Sequence, residues 1–335
     1  MTVAIVAVVA VALLFDVTNG FHDAANSIAT LVATNTATPA AAVAMAAVFH
    51  VLGPLLLGTA VADTVGGIVD TAQTDVLGIV AAALGTAVAW NLATWAFGLP
   101  SSSSHALVGG LVGAAVAAAG LDAVNWGGMA GIRPEGVIGV LVALAASPLI
   151  GALAGFGAVR ALRRSMRRAT RRMEGPVRGG QWGASAALAL SHGANDAQKT
   201  MGVITLVLVA EGRLDVFAVP LWVKLACAAS LTVGTALGGW RIVRTIGRGI
   251  FRLHPSDALA SQASSAATIF GSALLGGPVS TTHVVSSSVV GVGIGRSWRR
   301  VRWGVVQEIL LAWVLTLPLT ALVAGLVVWV GKEIA

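Results

Sequence analysis

Ten apolar segments, five on each side of one arginine-rich stretch, leave this chain few ways to fold. A helical crossing of a bilayer takes about 20 apolar residues, and a helix satisfies its own backbone hydrogen bonds where no water can. Of the 335 residues only 10% are charged and 56% are hydrophobic, whereas a soluble domain is about 25% charged. Alanine, glycine and valine dominate, and small side chains let membrane helices approach closely. The expected fold is an all-α polytopic membrane protein.

The first segment covers Thr2 to about Val32. The polar Thr18-Asn19-Gly20 in its middle predicts a broken helix. Met1 to Phe15 lacks a basic leader region and runs into Asp16, so it reads as a retained span rather than a signal peptide. After a turn at Thr34 to Pro39 comes Ala40 to Ala60, then a polar loop with Asp63, Asp70 and Asp75. Val76 to Phe97 and Ser104 to Ala119 are separated only by Gly98 to Ser103, which makes them two full spans or a re-entrant hairpin. A loop from Asp122 to Glu135 and a segment from Gly136 to Val159 complete the half. Arg160 to Arg178 is the boundary, giving residues 1–160, a basic linker at 161–180, and residues 181–335. The second half repeats the order with Gly183 to Val209, Val219 to Trp240, Ala258 to Leu275, Thr281 to Gly295 and Val305 to Val330.

The two halves also repeat in detail. Asn19-Gly20-Phe21-His22-Asp23-Ala24-Ala25-Asn26-Ser27 returns 173 positions later inside Ser191 to Met201. Gly20, Asp23 and Ala24 there meet Gly193, Asp196 and Ala197, while His22 faces Asn195 and Asn26 faces Lys199. At an offset of 178, Pro100, Ser102, His105 and Gly113 meet Pro278, Ser280, His283 and Gly291. At an offset of 170, Pro148, Leu149, Ala154 and Gly155 meet Pro318, Leu319, Ala324 and Gly325. Each half holds five segments, or three crossings and one hairpin. Both counts are odd, so the second half enters the membrane upside down, as an inverted-topology repeat with broken first helices and two helical hairpins.

The net charge of +7 could signal nucleic acid, but the placement of the basic residues excludes that as the leading reading. With Arg160 to Arg178 cytoplasmic, that stretch, Arg241 to Arg252 and Arg296 to Arg302 hold 16 of the 21 basic residues. This is a positive-inside pattern with both termini outside. Several of the 10 tryptophans sit beside these arginines, as expected at headgroup level.

Asp23 and Asp196 are the carboxylates with the strongest functional claim, because intramembrane ionisable residues are costly and mark ion paths. A broken helix would add free N–H groups and a positive dipole end for an anion, beside carboxylates able to take a cation or proton. Pro100-Ser101-Ser102-Ser103-Ser104-His105 and Pro278-Val279-Ser280-Thr281-Thr282-His283 put hydroxyls at helix first turns. Simple N-capping accounts for such a pattern; the anion reading adds that Ser102, Ser103, Ser104, Ser280, Thr281 and Thr282 face the centre where Asp23 and Asp196 meet. His22 can titrate near neutral pH, Lys199 can meet a carboxylate or the anion, and His105 and His283 are expected to lock the tips. Neither these histidines nor the single Cys227 has metal-ligand spacing, and no P-loop or Gly-x-Ser-x-Gly is present. An intramembrane hydrolase built on Ser104 or Ser101 with His105 is conceivable, yet it leaves the duplication unexplained.

The two Asp-bearing stretches, with Gln198-Lys199-Thr200-Met201-Gly202, the Pro-x-Ser-x-x-His tips and Ala312 to Pro318, resemble the inorganic phosphate transporter (PiT) family over nearly the whole chain. The resemblance implies a phosphate symporter of the cell membrane, homodimeric, with an elevator-like moving domain and no cofactor. Phosphate ligands would then fall on Gln198, Ser102, Ser103, Thr281 and Thr282, and coupling-ion ligands on Asp23, Asn26, Asn195 and Asp196. Phe21-His22 in the first signature resembles the bacterial low-affinity subgroup, which is proton-coupled and carries phosphate partly as a neutral metal–phosphate complex. The coupling ion is left as H+ or Na+, and sulfate or another tetrahedral oxyanion is the alternative cargo.

Overall fold

The computed structural model describes residues 2–70, 75–131, 133–168 and 171–334. Among the described residues twelve α-helices follow one another: α1 (Val3–Ala33), α2 (Pro39–Leu56), α3 (Ala60–Gly66), α4 (Val76–Phe97), α5 (Ser103–Ala119), α6 (Gly136–Ser165), α7 (Glu174–Ala210), α8 (Leu221–Leu237), α9 (Trp240–Arg244), α10 (Pro255–Leu274), α11 (Thr281–Ser297) and α12 (Trp303–Ile334). The ten long ones coincide with the ten apolar segments; α3 and α9 are short connectors. A two-stranded antiparallel ribbon, β1 (Gly128–Ala130) against β2 (Arg133–Glu135), closes the loop before α6.

Among the described residues, five helices are long and apolar enough to cross a membrane, and the α8–α9 pair makes up to six. Large apolar side chains on α6 and α12, among them Leu149, Leu153, Leu311, Val314 and Leu322, stand exposed. Such a belt is stable against lipid, and the chain is a multi-pass membrane protein.

Two details differ from the sequence reading. Helix α1 runs unbroken through Thr18-Asn19-Gly20, and α7 through its matching stretch. The glycines there serve close helix approach instead. A Cβ on Gly20 would lie 2.2 Å from Leu231 O on α8, and one on Gly193 would lie 2.8 Å from the His50 backbone on α2. The sharp break falls in the next element of the second half, where α8 and α9 meet at 62°. Gly238, with φ of +67°, ends α8 in a positive-φ conformation that a residue with a Cβ rarely adopts. The expected basic linker is also largely helical, since α6 extends to Ser165 and α7 begins at Glu174; residues 169 and 170 of it lie outside the described residues.

Packing exchanges partners between the halves. Helix α2 lies on α7 as α8 lies on α1, and α5 lies along α12 as α11 lies along α6. The contacts are glycine-mediated in both places: a Cβ on Gly113 would meet Ala321 O at 2.0 Å, and one on Gly291 would meet Ala152 O at 1.9 Å. The apolar core forms two clusters. One gathers the start of α1 with α4 and α5, the other the end of α1 with α10 and α11. Helices α1 and α7 pass through both, and the polar residues in their middles lie between them.

Candidate functional site: a buried ionic centre between two helix tips

Helices α1 and α7 run antiparallel, joined by a polar seam at helical spacing. Thr200 donates to Asp16 at 2.5 Å, Asn19 to Asp196 at 3.5 Å, and Gln181 to Thr34 at 2.9 Å. On α1 the seam residues Asp16, Asn19, Asp23, Ser27, Thr30 and Thr34 recur every three or four positions, which puts them on one face. All are buried. Buried polar groups need partners, and Asp16, Asn19, Asp23 and Ser27 find them laterally on other helices while α1 stays continuous.

The centre of the seam holds two carboxylates, each with its own histidine. His22 Nδ1 lies 2.6 Å from Asp23 Oδ1, and His192 Nε2 lies 2.7 Å from Asp196 Oδ2. An ionised carboxylate only accepts, so whenever Asp23 or Asp196 carries its charge the facing ring nitrogen carries a proton. Lys199, one turn after Asp196, places Nζ 2.6 Å from Asp196 Oδ1, 2.6 Å from Ser104 Oγ and 2.9 Å from Val279 O. One ligand atom each from Asp23, His192 and Asp196 lies within 4.8 Å of the others, a set able to hold a cation.

The tips between α4 and α5 and between α10 and α11 close over this centre. Ser102 and Ser280 are N-caps, accepting from the backbone N–H of His105 and His283. Beyond the caps, Thr282 donates to Asp23 Oδ1 at 3.0 Å, and Thr281 to Asp196 Oδ2 at 3.2 Å. Asn26 donates to Thr282 at 3.0 Å and Thr281 at 3.4 Å, which fastens α1 to the second tip. Ser104 connects the first tip to the second by donating to Val279 O at 3.3 Å while accepting from Lys199. The tips thus meet each other, the second tip reaches both carboxylates, and the first reaches Asp196 through Lys199. Behind them His105 bonds Ser102, His283 stacks on Trp313 at 3.8 Å, and Trp313 donates to Pro100 O.

Asp23, Asn26, Asp196, His22, Lys199, Ser104, Thr281 and Thr282 therefore converge, Ser102 and Ser280 act as caps, and Ser103 is buried in the first turn of α5. Asn195 lies at the edge, donating to Gly277 O at 3.3 Å. Gln198 turns the other way. Val61 N–H donates to its Oε1 and its Nε2 donates to Leu57 O, both at 2.9 Å, so its amide holds the α2–α3 connection. The Ser104–His105 pair of a hydrolase is not made, because His105 bonds Ser102 and Ser104 bonds Lys199. The sequence reading passed over His192 as a carboxylate partner, although His192 and Asp196 are four apart on a helix. It also passed over His50, which joins Ser27 to Thr235 from α2 and carries no local signal.

A profile of the phosphate transporter family matches residues 19–324, a span that takes in the seam, both tips and the core. The chain belongs to that family. Relatives named "Probable low-affinity inorganic phosphate transporter" include one from Mycobacterium bovis, 44% identical over 97% of this chain and 78% of its own length. Others come from Rhizobium meliloti, 41% identical over 99% and 97%, and Bacillus subtilis, 41% identical over 94% and 93%. A solved structure titled "The sodium-dependent phosphate transporter" has the same fold, with a TM-score of 0.86, 23% identity and full coverage of both chains. This phosphate transporter is not an enzyme.

Proposed function

We propose that this phosphate transporter is a secondary active symporter that imports inorganic phosphate with a coupling cation, H+ or Na+, at the Asp23–Asp196 centre. The observation that carries the reading is the charge count of that centre. Asp23 and Asp196 are each at most 1% exposed and Lys199 is 2% exposed. With neutral imidazoles the three leave one net negative charge, and a phosphate monoanion makes it two. Uncompensated charge inside a bilayer is costly, so the loaded centre is neutral when two cations enter with the anion. Carboxylates are the groups that take them.

The anion's place is at the tips. Helices α5 and α11 begin there, their first N–H groups favour negative charge, and Ser103, Ser104, Thr281 and Thr282 supply hydroxyls beside the caps Ser102 and Ser280. Lys199 turns from Asp196 to the phosphate. Gln198 joins the ligand set only by releasing Leu57 and Val61. If cargo arrives as a metal–phosphate complex, Asp23, His192 and Asp196 are the groups that meet the metal. The exchanged packing of the halves supports residues 1–160 and 181–335 as inverted repeats. On the arginine asymmetry and the family likeness, the protein works as a homodimer in the cell membrane with both termini outside.

Uptake of labelled phosphate and sulfate into proteoliposomes, under imposed pH or sodium gradients, tests this. Phosphate accumulation driven by one of the gradients is expected. Accumulation of sulfate in preference, or uptake indifferent to both gradients, contradicts the reading.

A further inference from the structure

A third carboxylate lies inside the seam, outside the centre just described. Asp16 is fully buried on α1, two turns before Asp23. Its Oδ1 accepts from Thr200 at 2.5 Å, and its Oδ2 accepts no hydrogen bond from any described residue. The groups facing it are few. Helix α7 brings Thr200, with Lys199 and Asp196 near enough to act on it through their charges, and α8 brings the Cys227 thiol. Lys224, a turn earlier on α8, is partly exposed, and α4 carries no ionisable side chain. No described lysine or arginine pairs with Asp16, whereas Lys199 is spent on Asp196.

We infer that Asp16 is a second proton-binding carboxyl, separate from the Asp23–Asp196 pair and linked to it, which takes up a proton when phosphate binds. The inference rests on the symport reading above. A proton rather than a metal ion fits because the site offers one hydroxyl and a thiol, not a shell of oxygens. One free oxygen, Oδ2, is all a proton requires. The linkage runs along α7, where Lys199 and Thr200 are neighbours. When Lys199 leaves Asp196 for an incoming anion, the region around Asp16 becomes more negative and proton uptake there is favoured. By reciprocity a proton on Asp16 then favours phosphate binding.

The test is calorimetry of phosphate binding to the purified full chain in buffers of different ionisation enthalpy, which counts protons taken up per phosphate. Asp16→Asn keeps the shape and the acceptor for Thr200 but holds no exchangeable acid proton. Wild type is expected to take up about one proton more than Asp16→Asn at a pH where the site is empty before binding. Titration of phosphate itself is common to both and cancels. Equal proton counts across pH 5–9 overturn the inference; so does loss of phosphate binding in a folded Asp16→Asn protein, which would make Asp16 part of the anion site. Should Asp16→Asn not fold, Thr200→Val retains the carboxyl and removes its donor. A changed pH profile of proton uptake in Thr200→Val then supports the inference, and an unchanged one overturns it. Failure of wild type to bind phosphate would instead refute the symport reading.

Discussion

Replacing Lys199 with methionine removes the ammonium of the buried centre while keeping an unbranched side chain. Its Nζ lies 2.6 Å from Asp196 Oδ1 and the pair is almost fully buried. At that separation and an effective dielectric of about 20, the Coulomb attraction is roughly 6 kcal/mol. Much of it offsets desolvation, and stranding one partner of a buried pair costs about 3–5 kcal/mol. At about 2–4 °C per kcal/mol, the purified variant should melt roughly 6–20 °C below wild type. Lys199→Met/Asp196→Asn removes the stranded carboxylate as well, so it should recover most of that loss. Phosphate affinity should not recover. A charge-assisted hydrogen bond is worth about 1.5–3 kcal/mol, so both proteins should bind phosphate roughly 10- to 150-fold more weakly. Thermal melts followed by tryptophan fluorescence and equilibrium phosphate binding supply the two readouts. If Lys199→Met melts with wild type, or the double variant melts below it, Lys199 does not neutralise Asp196 and the charge count given above is wrong.

Thr281→Val and Thr282→Val should weaken phosphate binding in protein that still inserts; unchanged affinity in both would leave the second tip with a capping role only. Gly113→Ala and Gly291→Ala should each destabilise by about 1–3 kcal/mol or more, because the new methyl meets a backbone carbonyl on the facing helix. Gly85→Ala meets nothing within 4 Å and should be neutral or stabilising by up to about 1 kcal/mol, and a melt series of the three checks the contrast. Cysteines placed at Asp122 and Lys332 should label from outside intact cells and one at Arg168 only from inside, against low background from the buried Cys227; outside labelling at 168 would end the inverted-repeat topology.

The ten helices and the nearness of Asp23 to Asp196 were legible because they follow from local apolar runs and a repeat. The continuity of α1 was not. Thr18-Asn19-Gly20 reads as a break when only the chain itself is weighed. What keeps it helical is lateral: Asn19 reaches Asp196, and Gly20 admits the α8 backbone. Gln198 was assigned to the anion on resemblance, and the partner it has here belongs to a loop some 140 positions away. Gly238-Gly239, where the bend does fall, is a pair of glycines after an apolar run, the ordinary signal of a helix end. There the clue was local and was passed over in favour of the polar stretch.

The central claim is that Asp23 and Asp196 carry the coupling ions. Asp23→Asn and Asp196→Asn keep the shape of each side chain and remove its charge. Reconstituted wild type should concentrate labelled phosphate against its gradient when the coupling gradient is imposed, and both variants should fail to do so, while Asp63→Asn on α3 should behave as wild type. Normal accumulation by either central variant would contradict the account.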